Sequence, residues 1–173
     1  MIYEFCAENV TLLEKAMQAG ARRIELCDNL AVGGTTPSYG VTKAAVELAA
    51  NYDTTIMTMI RPRGGDFVYN DMEIAIMLED IRLTAQAGSQ GVVFGALTAE
   101  KKLDKPNLEK LIAASKGMEI VFHMAFDELS DEDQLEAIDW LSQAGVTRIL
   151  TRAGVSGDSL DKRFAHYHRI LEH

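Results

Sequence analysis

The two cysteines of this 173-residue chain each stand two residues after a glutamate, in Glu4-Phe5-Cys6 and Glu25-Leu26-Cys27. Side chains alternate between the faces of an extended strand, so each glutamate shares a face with its cysteine. Thiols presented in this way can act as thiolate ligands for a soft ion such as Cu(I). They can equally pack as small hydrophobes, and no Cys-x-x-Cys argues for a metal. The glutamates demand more, because a carboxylate in an apolar interior is costly without a partner or a role.

Further chemistry sits in Arg61-Pro62-Arg63-Gly64-Gly65-Asp66. Arg61 and Arg63 share a face by parity. They can clamp a small anionic ligand through their guanidinium forks, or pair with Glu4 and Glu25 and close the interior electrostatically. His123 ends another strand-like run, and Asp127 follows on the same parity. That histidine can serve as a general base with the carboxylate orienting it, or as a structural donor. Met57 and Met59 point the same way as Arg61; thioethers can bind Cu(I), but at this spacing they also serve as filling. The loop glycines Gly33, Gly34, Gly154 and Gly157 are compatible with a phosphate nest. His166 and His168 read as surface residues, and Asp131, Glu132 and Asp133 as an acidic first turn of a helix.

These residues need a frame, and one phrase supplies it. An Ala-Gly pair closes a helical pattern and precedes a short apolar run at Gly20, Gly88 and Gly145. Those glycines are spaced at roughly twice the ~30 residues of one βα unit, so each interval must hold another strand. Strands are expected at 2–6, 22–27, 54–60, 91–95, 118–123 and 146–150. Helical periodicity fills the intervals, as in Val41, Ala44, Ala45, Leu48 and Ala49, or Ile74, Met77, Leu78 and Ile81. Start signals fall at Asn9, at Asn70 with Glu73, at Pro106 and at Ser130. The last helix carries Leu160, Phe164, Tyr167 and Leu171 on one stripe.

Strands alternating with helices imply a parallel sheet, either an open doubly wound one or a (β/α)₈ barrel. Central strands of an open sheet are nearly all apolar. Here polar residues recur on one strand face, at Glu4, Glu25, Arg61 and His123, as in barrel strands that end at a catalytic mouth. The expected fold is therefore a TIM-type (β/α) barrel with six of its eight βα units, forming a single incomplete domain over residues 1–173. Neighbouring strands would carry the Glu-Cys pairs into the barrel near its top, with shear setting the two sulfurs in adjacent layers.

Composition narrows the function classes. With a net charge of −9 and no basic run, the chain is unsuited to binding nucleic acid. No apolar run approaches the roughly 20 residues that span a bilayer, and the N-terminus lacks the pattern of a secretory signal. Two cysteines make no disulfide framework, which points to a reducing cytoplasm and free thiols.

The sequence resembles the CutC family, also called copper homeostasis proteins. The resemblance is carried by Glu4-Phe5-Cys6, Arg23-Ile24-Glu25-Leu26-Cys27, Gly33-Gly34-Thr35-Thr36-Pro37-Ser38-Tyr39-Gly40, and Ile60 through Phe67 with Tyr69. Val92-Val93-Phe94-Gly95, Phe122-His123 with Ala125-Phe126-Asp127, and Arg148-Ile149-Leu150-Thr151 continue it. It implies a TIM-type barrel, a cytoplasmic protein and a homo-oligomer, with Cys6 and Cys27 matching the residues proposed as Cu(I) ligands in that family. The chain departs from the family pattern at Met124, where arginine is usual. By strand parity Met124 would face the helices and spare the interior. It departs again at Arg152-Ala153-Gly154, which weakens an anion cradle there, and it lacks the family's later Pro-Gly-Gly-Gly-type strand end. An open barrel edge is the expected consequence.

Two functional readings follow. One is cytosolic copper handling through Cys6 and Cys27. The other is an enzyme acting on a small anionic metabolite through Glu4, Glu25, His123 and Asp127 as catalytic groups, with Arg61 and Arg63 as the anion clamp. Two thiolates satisfy linear Cu(I) without two arginines and a histidine, which is the argument for the second.

Overall fold

The computed structural model describes residues 1–154 and 157–173. Six strands, β1 (Glu4–Glu8), β2 (Arg23–Cys27), β3 (Thr55–Met59), β4 (Gly91–Phe94), β5 (Glu119–Phe122) and β6 (Arg148–Ile149), form one parallel sheet in sequential order. Between and after them run α1 (Leu13–Gln18), α2 (Tyr39–Ala49), α3 (Asp71–Ala87), α4 (Lys105–Ala114), α5 (Asp131–Gln143) and α6 (Leu160–Glu172). Strand order never reverses, so the topological switch of a doubly wound sheet is absent among the described residues.

The sheet is curled. The Arg148 guanidinium on β6 lies 3.6 Å from the Met57 sulfur on β3. Three strand spacings in a flat sheet would separate those strands by about 14 Å. Cys27, Met57, Met59, Val93 and Val121, with Leu150 beside them, form one buried cluster on the concave side. Ile24 and Leu26 face outward into a core shared with α1 and α2. The larger outer core holds Ile60, Val92, Phe94 and Phe122 against Ile74, Met77, Ile81, Leu108 and Leu141. These are six βα units of a TIM-type barrel.

Local chemistry explains the helix ends. Ser38, Ser130 and Ser159 cap α2, α5 and α6 by accepting a backbone N–H of the first turn. Asn70 and Glu73 make a full capping box on α3. Asp104 caps α4, with Pro106 in its first turn. The expected start at Asn9 is corrected: Asn9 takes a left-handed turn conformation, and α1 begins at Leu13 without a side-chain cap.

Three further expectations change. β1 starts two residues later than its pattern suggested, so Glu4 lies at the strand's beginning and Glu8 at its end. β1 pairs only with β2 among the described residues, the open edge that the sequence implied, and there Glu4 and Cys6 are exposed. On α6 the stripe of Leu160, Phe164, Tyr167 and Leu171 faces outward, at 70%, 62%, 43% and 63% exposure. The helix docks instead through Ile170, which packs on the outer core, and through His166, whose Nε2 bonds Gln134 Oε1 at 2.7 Å. His166 is thus an interface residue, not a surface one, while His168 is exposed.

Candidate functional site at the barrel mouth

The β1–β2 register places Cys6 opposite Glu25 and Glu8 opposite Cys27. Glu25 therefore stands between the two thiols. Its Oε1 accepts from Cys6 Sγ at 3.4 Å and from Cys27 Sγ at 3.7 Å. One ligand atom from each of the three lies within 4.8 Å of the others. Cys27 is fully buried, whereas Cys6 opens to solvent. The neighbouring Cys6 thiol, burial and the Glu25 carboxylate all push the Cys27 thiol above its ordinary pKa. Burial raises Glu25 as well, against the opposing pull of the thiol donors. Its Oε2 is buried without a partner. Gly34 closes over this group: at φ +87° it takes a conformation that favours glycine, and a Cβ there would sit 3.0 Å from Cys27 Sγ.

Glu4 belongs to a different layer. It pairs with Arg23 at 3.1 Å, at the opposite end of the strands from the mouth. A second pair, Glu119 with Arg148, also lies on the concave side. Arg23 was legible in the sequence, two residues before Glu25 on the same parity, but was not singled out; Glu8 and Arg148 were missed likewise. Glu8 accepts the Leu30 N–H at 2.6 Å and anchors the loop after β2.

The expected pairing of Arg61 and Arg63 with Glu4 and Glu25 does not occur. Arg61 is buried, and its Nη1 donates to the carbonyls of Val32 and Gly34 at 2.9 and 3.0 Å. Its Nη2 donates to Gly65 O at 2.7 Å, and Nε has no partner. Backbone turning after Pro62 carries Arg63 away. It bonds Glu73 of the α3 capping box, Asp66, and the carbonyls of Gly64 and Val68. The two arginines thus tie loops together and do not act as a joined clamp.

His123 and Asp127 are separate as well. His123 Nδ1 accepts the Ala125 N–H at 3.2 Å, which leaves the proton on Nε2, buried and without a partner. Burial, with Arg61 nearby, lowers its pKa to about 3, far from the range of an efficient base near neutral pH. Asp127 instead accepts from the Thr151 hydroxyl at 2.5 Å and from the Arg152 N–H at 2.9 Å, holding the segment after β6. The run from Met124 to Glu128 is a 3₁₀ turn, so strand parity does not govern Met124, which is half-buried. Phe67 completes the mouth. Its ring centroid is 4.8 Å from the Arg61 guanidinium carbon and 4.8 Å from the His123 ring centroid.

Comparison with known proteins places the chain in a family and a fold. The model of the CutC family matches residues 1–166. A CutC family protein of Enterococcus faecalis is 51% identical over 171 residues, covering 99% of this chain and 82% of the relative. One from Streptococcus pyogenes is 53% identical over 151 residues, covering 87% and 72%. The crystal structure of a Streptococcus agalactiae CutC, named for copper homeostasis, superposes with a TM-score of 0.95 at 45% identity, covering 99% of this chain and 82% of that one. An archaeal fructose 1,6-bisphosphate aldolase shares the fold alone, with a TM-score of 0.62 at 16% identity over 92% of this chain and 62% of its own. Among the described residues no helix is long and apolar enough to cross a membrane. Sequence and structure together show that this chain belongs to the CutC family.

Proposed function

We propose that this chain binds Cu(I) through Cys6 and Cys27 and takes part in copper handling in the cytoplasm, as a homo-oligomer. The observation that carries the reading is the convergence of Cys6, Glu25 and Cys27, whose ligand atoms lie within 4.8 Å of one another. Two sulfurs on neighbouring strands suit a soft ion that accepts few ligands. The thioether residues Met57 and Met59 belong to the same concave cluster as Cys27 and keep that side apolar and polarizable. Thiolates are the binding form, so loading the site displaces protons from thiols, and Cu(I) affinity rises with pH. The name of the Streptococcus agalactiae relative is consistent with this reading.

Anaerobic titration of the reduced protein with Cu(I) against a competing chelator tests it, beside the Cys6→Ser/Cys27→Ser double variant. Stoichiometric binding that disappears in the variant supports the proposal. Binding indifferent to both cysteines sinks it.

A further inference from the structure

Two residues packed on the Phe67 ring, Arg61 and His123, each carry a buried N–H without a partner. Arg61 Nε–H has no acceptor, nor does His123 Nε2–H. Both residues are almost fully buried, at 4% and 3% exposure. The buried Tyr69 hydroxyl, two residues further along the same loop, lies beside Arg61 and can both donate and accept. Leaving such N–H groups unsatisfied is costly. Arg61 Nε–H and His123 Nε2–H can only donate, and an acceptor-rich, negatively charged ligand matches them.

The Arg61 bonds show which edge is available. Nη1 is held twice, by Val32 O and Gly34 O, on the loop after β2. Nη2 is held once, by Gly65 O, on the same short loop that carries Phe67. Nε and Nη2 form one side of the planar guanidinium, the side that grips a carboxylate or phosphate with two parallel hydrogen bonds. Moving the 64–68 loop would withdraw Gly65 O and the Phe67 ring together and free that whole side. Outside Phe67 lies a cleft of about 550 Å³, lined by Asp66, Phe67, Leu97, Thr98, Lys101 and Glu128. Phe67 therefore separates an open cleft from buried donors. Gly65, at φ +86°, supplies a hinge position where the chain already uses a glycine conformation.

We infer that the mouth of the barrel holds a small-oxyanion site closed by a Phe67 lid: the Nε–Nη2 side of Arg61 grips two oxygens of a carboxylate or phosphate, and His123 Nε2–H donates to the same ligand. Arg63 holds the lid loop and does not bind the anion, because its donors are taken by Glu73, Asp66 and the Gly64 and Val68 carbonyls. The site shares no residue with the cysteine cluster and does not depend on copper binding.

The test titrates full-length protein with inorganic phosphate and, separately, with malonate. It reads heat of binding and the ¹⁵N resonance of Arg61 Nε–H. Saturable binding of either anion with movement of that resonance is expected; phosphate alone points to a phosphorylated ligand, malonate alone to a carboxylate. Phe67→Ala should tighten binding roughly threefold, because the closed lid no longer competes. Arg61→Lys keeps the charge but loses the fork, and should weaken binding about tenfold or more. The Cys6→Ser/Cys27→Ser variant should bind as the parent does, which separates this site from the copper reading. Should Arg61→Lys fail to fold, the Nε–H resonance of the parent and of Phe67→Ala decides the matter. No saturable binding and no movement of that resonance in either protein overturns the proposal, as does affinity that Phe67→Ala leaves unchanged or weakens.

Discussion

Cys6 and Cys27 occupy neighbouring strands two residues out of step, Cys6 opposite Glu25 and Cys27 opposite Glu8. Their sulfurs belong to a group of ligand atoms all within 4.8 Å of one another. Their backbones are farther apart: one strand spacing and a two-residue offset give a Cα separation of about 8 Å. A disulfide needs less than about 7 Å. The register thus brings two thiols within reach of one ion while keeping them from bonding each other.

Oxidation of the metal-free protein with diamide should consequently leave no Cys6–Cys27 disulfide. Intact-mass measurement and thiol counting check this, and a loss of two hydrogens mapped to these cysteines would contradict the register. Iodoacetamide should modify exposed Cys6 first, with Cys27 slower by roughly a hundredfold, given its burial and raised pKa.

His123 makes stability depend on pH. Its folded pKa is about 3 against 6.5 when free. The unfolded chain binds the extra proton between those values, so the contribution is complete above pH 6.5 and is lost as pH falls toward 3. The slope is about 1.4 kcal/mol per pH unit, or about 2 kcal/mol between pH 6.5 and 5. Urea unfolding of the parent and of His123→Gln across that range measures it. Parallel stability curves would refute the assignment.

Arg61 and Arg63 should differ sharply. Arg61→Ala orphans the carbonyls of Val32, Gly34 and Gly65 at the mouth and should cost about 3 kcal/mol. Arg63 is half-exposed, and Arg63→Ala should cost about 1 kcal/mol. Equal losses in chemical denaturation would show that burial does not separate the two.

Asp127→Ala should free the Thr151 hydroxyl and the Arg152 N–H, destabilising the fold by about 2 kcal/mol. Amide hydrogen exchange at Arg152 should accelerate more than at Val92 in β4. Uniform acceleration would mean that Asp127 acts on global stability and not on the segment after β6.

Much of the frame was readable beforehand because its causes are local. A helix that stops at Gly88 needs only its own backbone and the residue that tolerates φ +89°. The Asn70–Glu73 box satisfies donors within one turn. The pairing of Glu25 with Cys27 on one face follows from strand alternation and holds in the structure.

Partners were less legible. Ile2 through Glu8 alternates without a break, so the pattern permits β1 to slide by two residues while keeping the same face inward. Hydrogen bonding to β2 selects Glu4–Glu8 and hands Glu4 to Arg23. Nothing near Arg61 in sequence indicates that its guanidinium reaches two carbonyls of the preceding loop, or that Phe67 packs against His123. By itself the sequence determined the order of strands and helices, the shared face of Glu25 and Cys27 within β2 and the family, because these depend on periodicity, caps and short phrases. The tertiary structure alone decided which residues meet, because register and loop closure are set by hydrogen bonds between segments far apart in the chain.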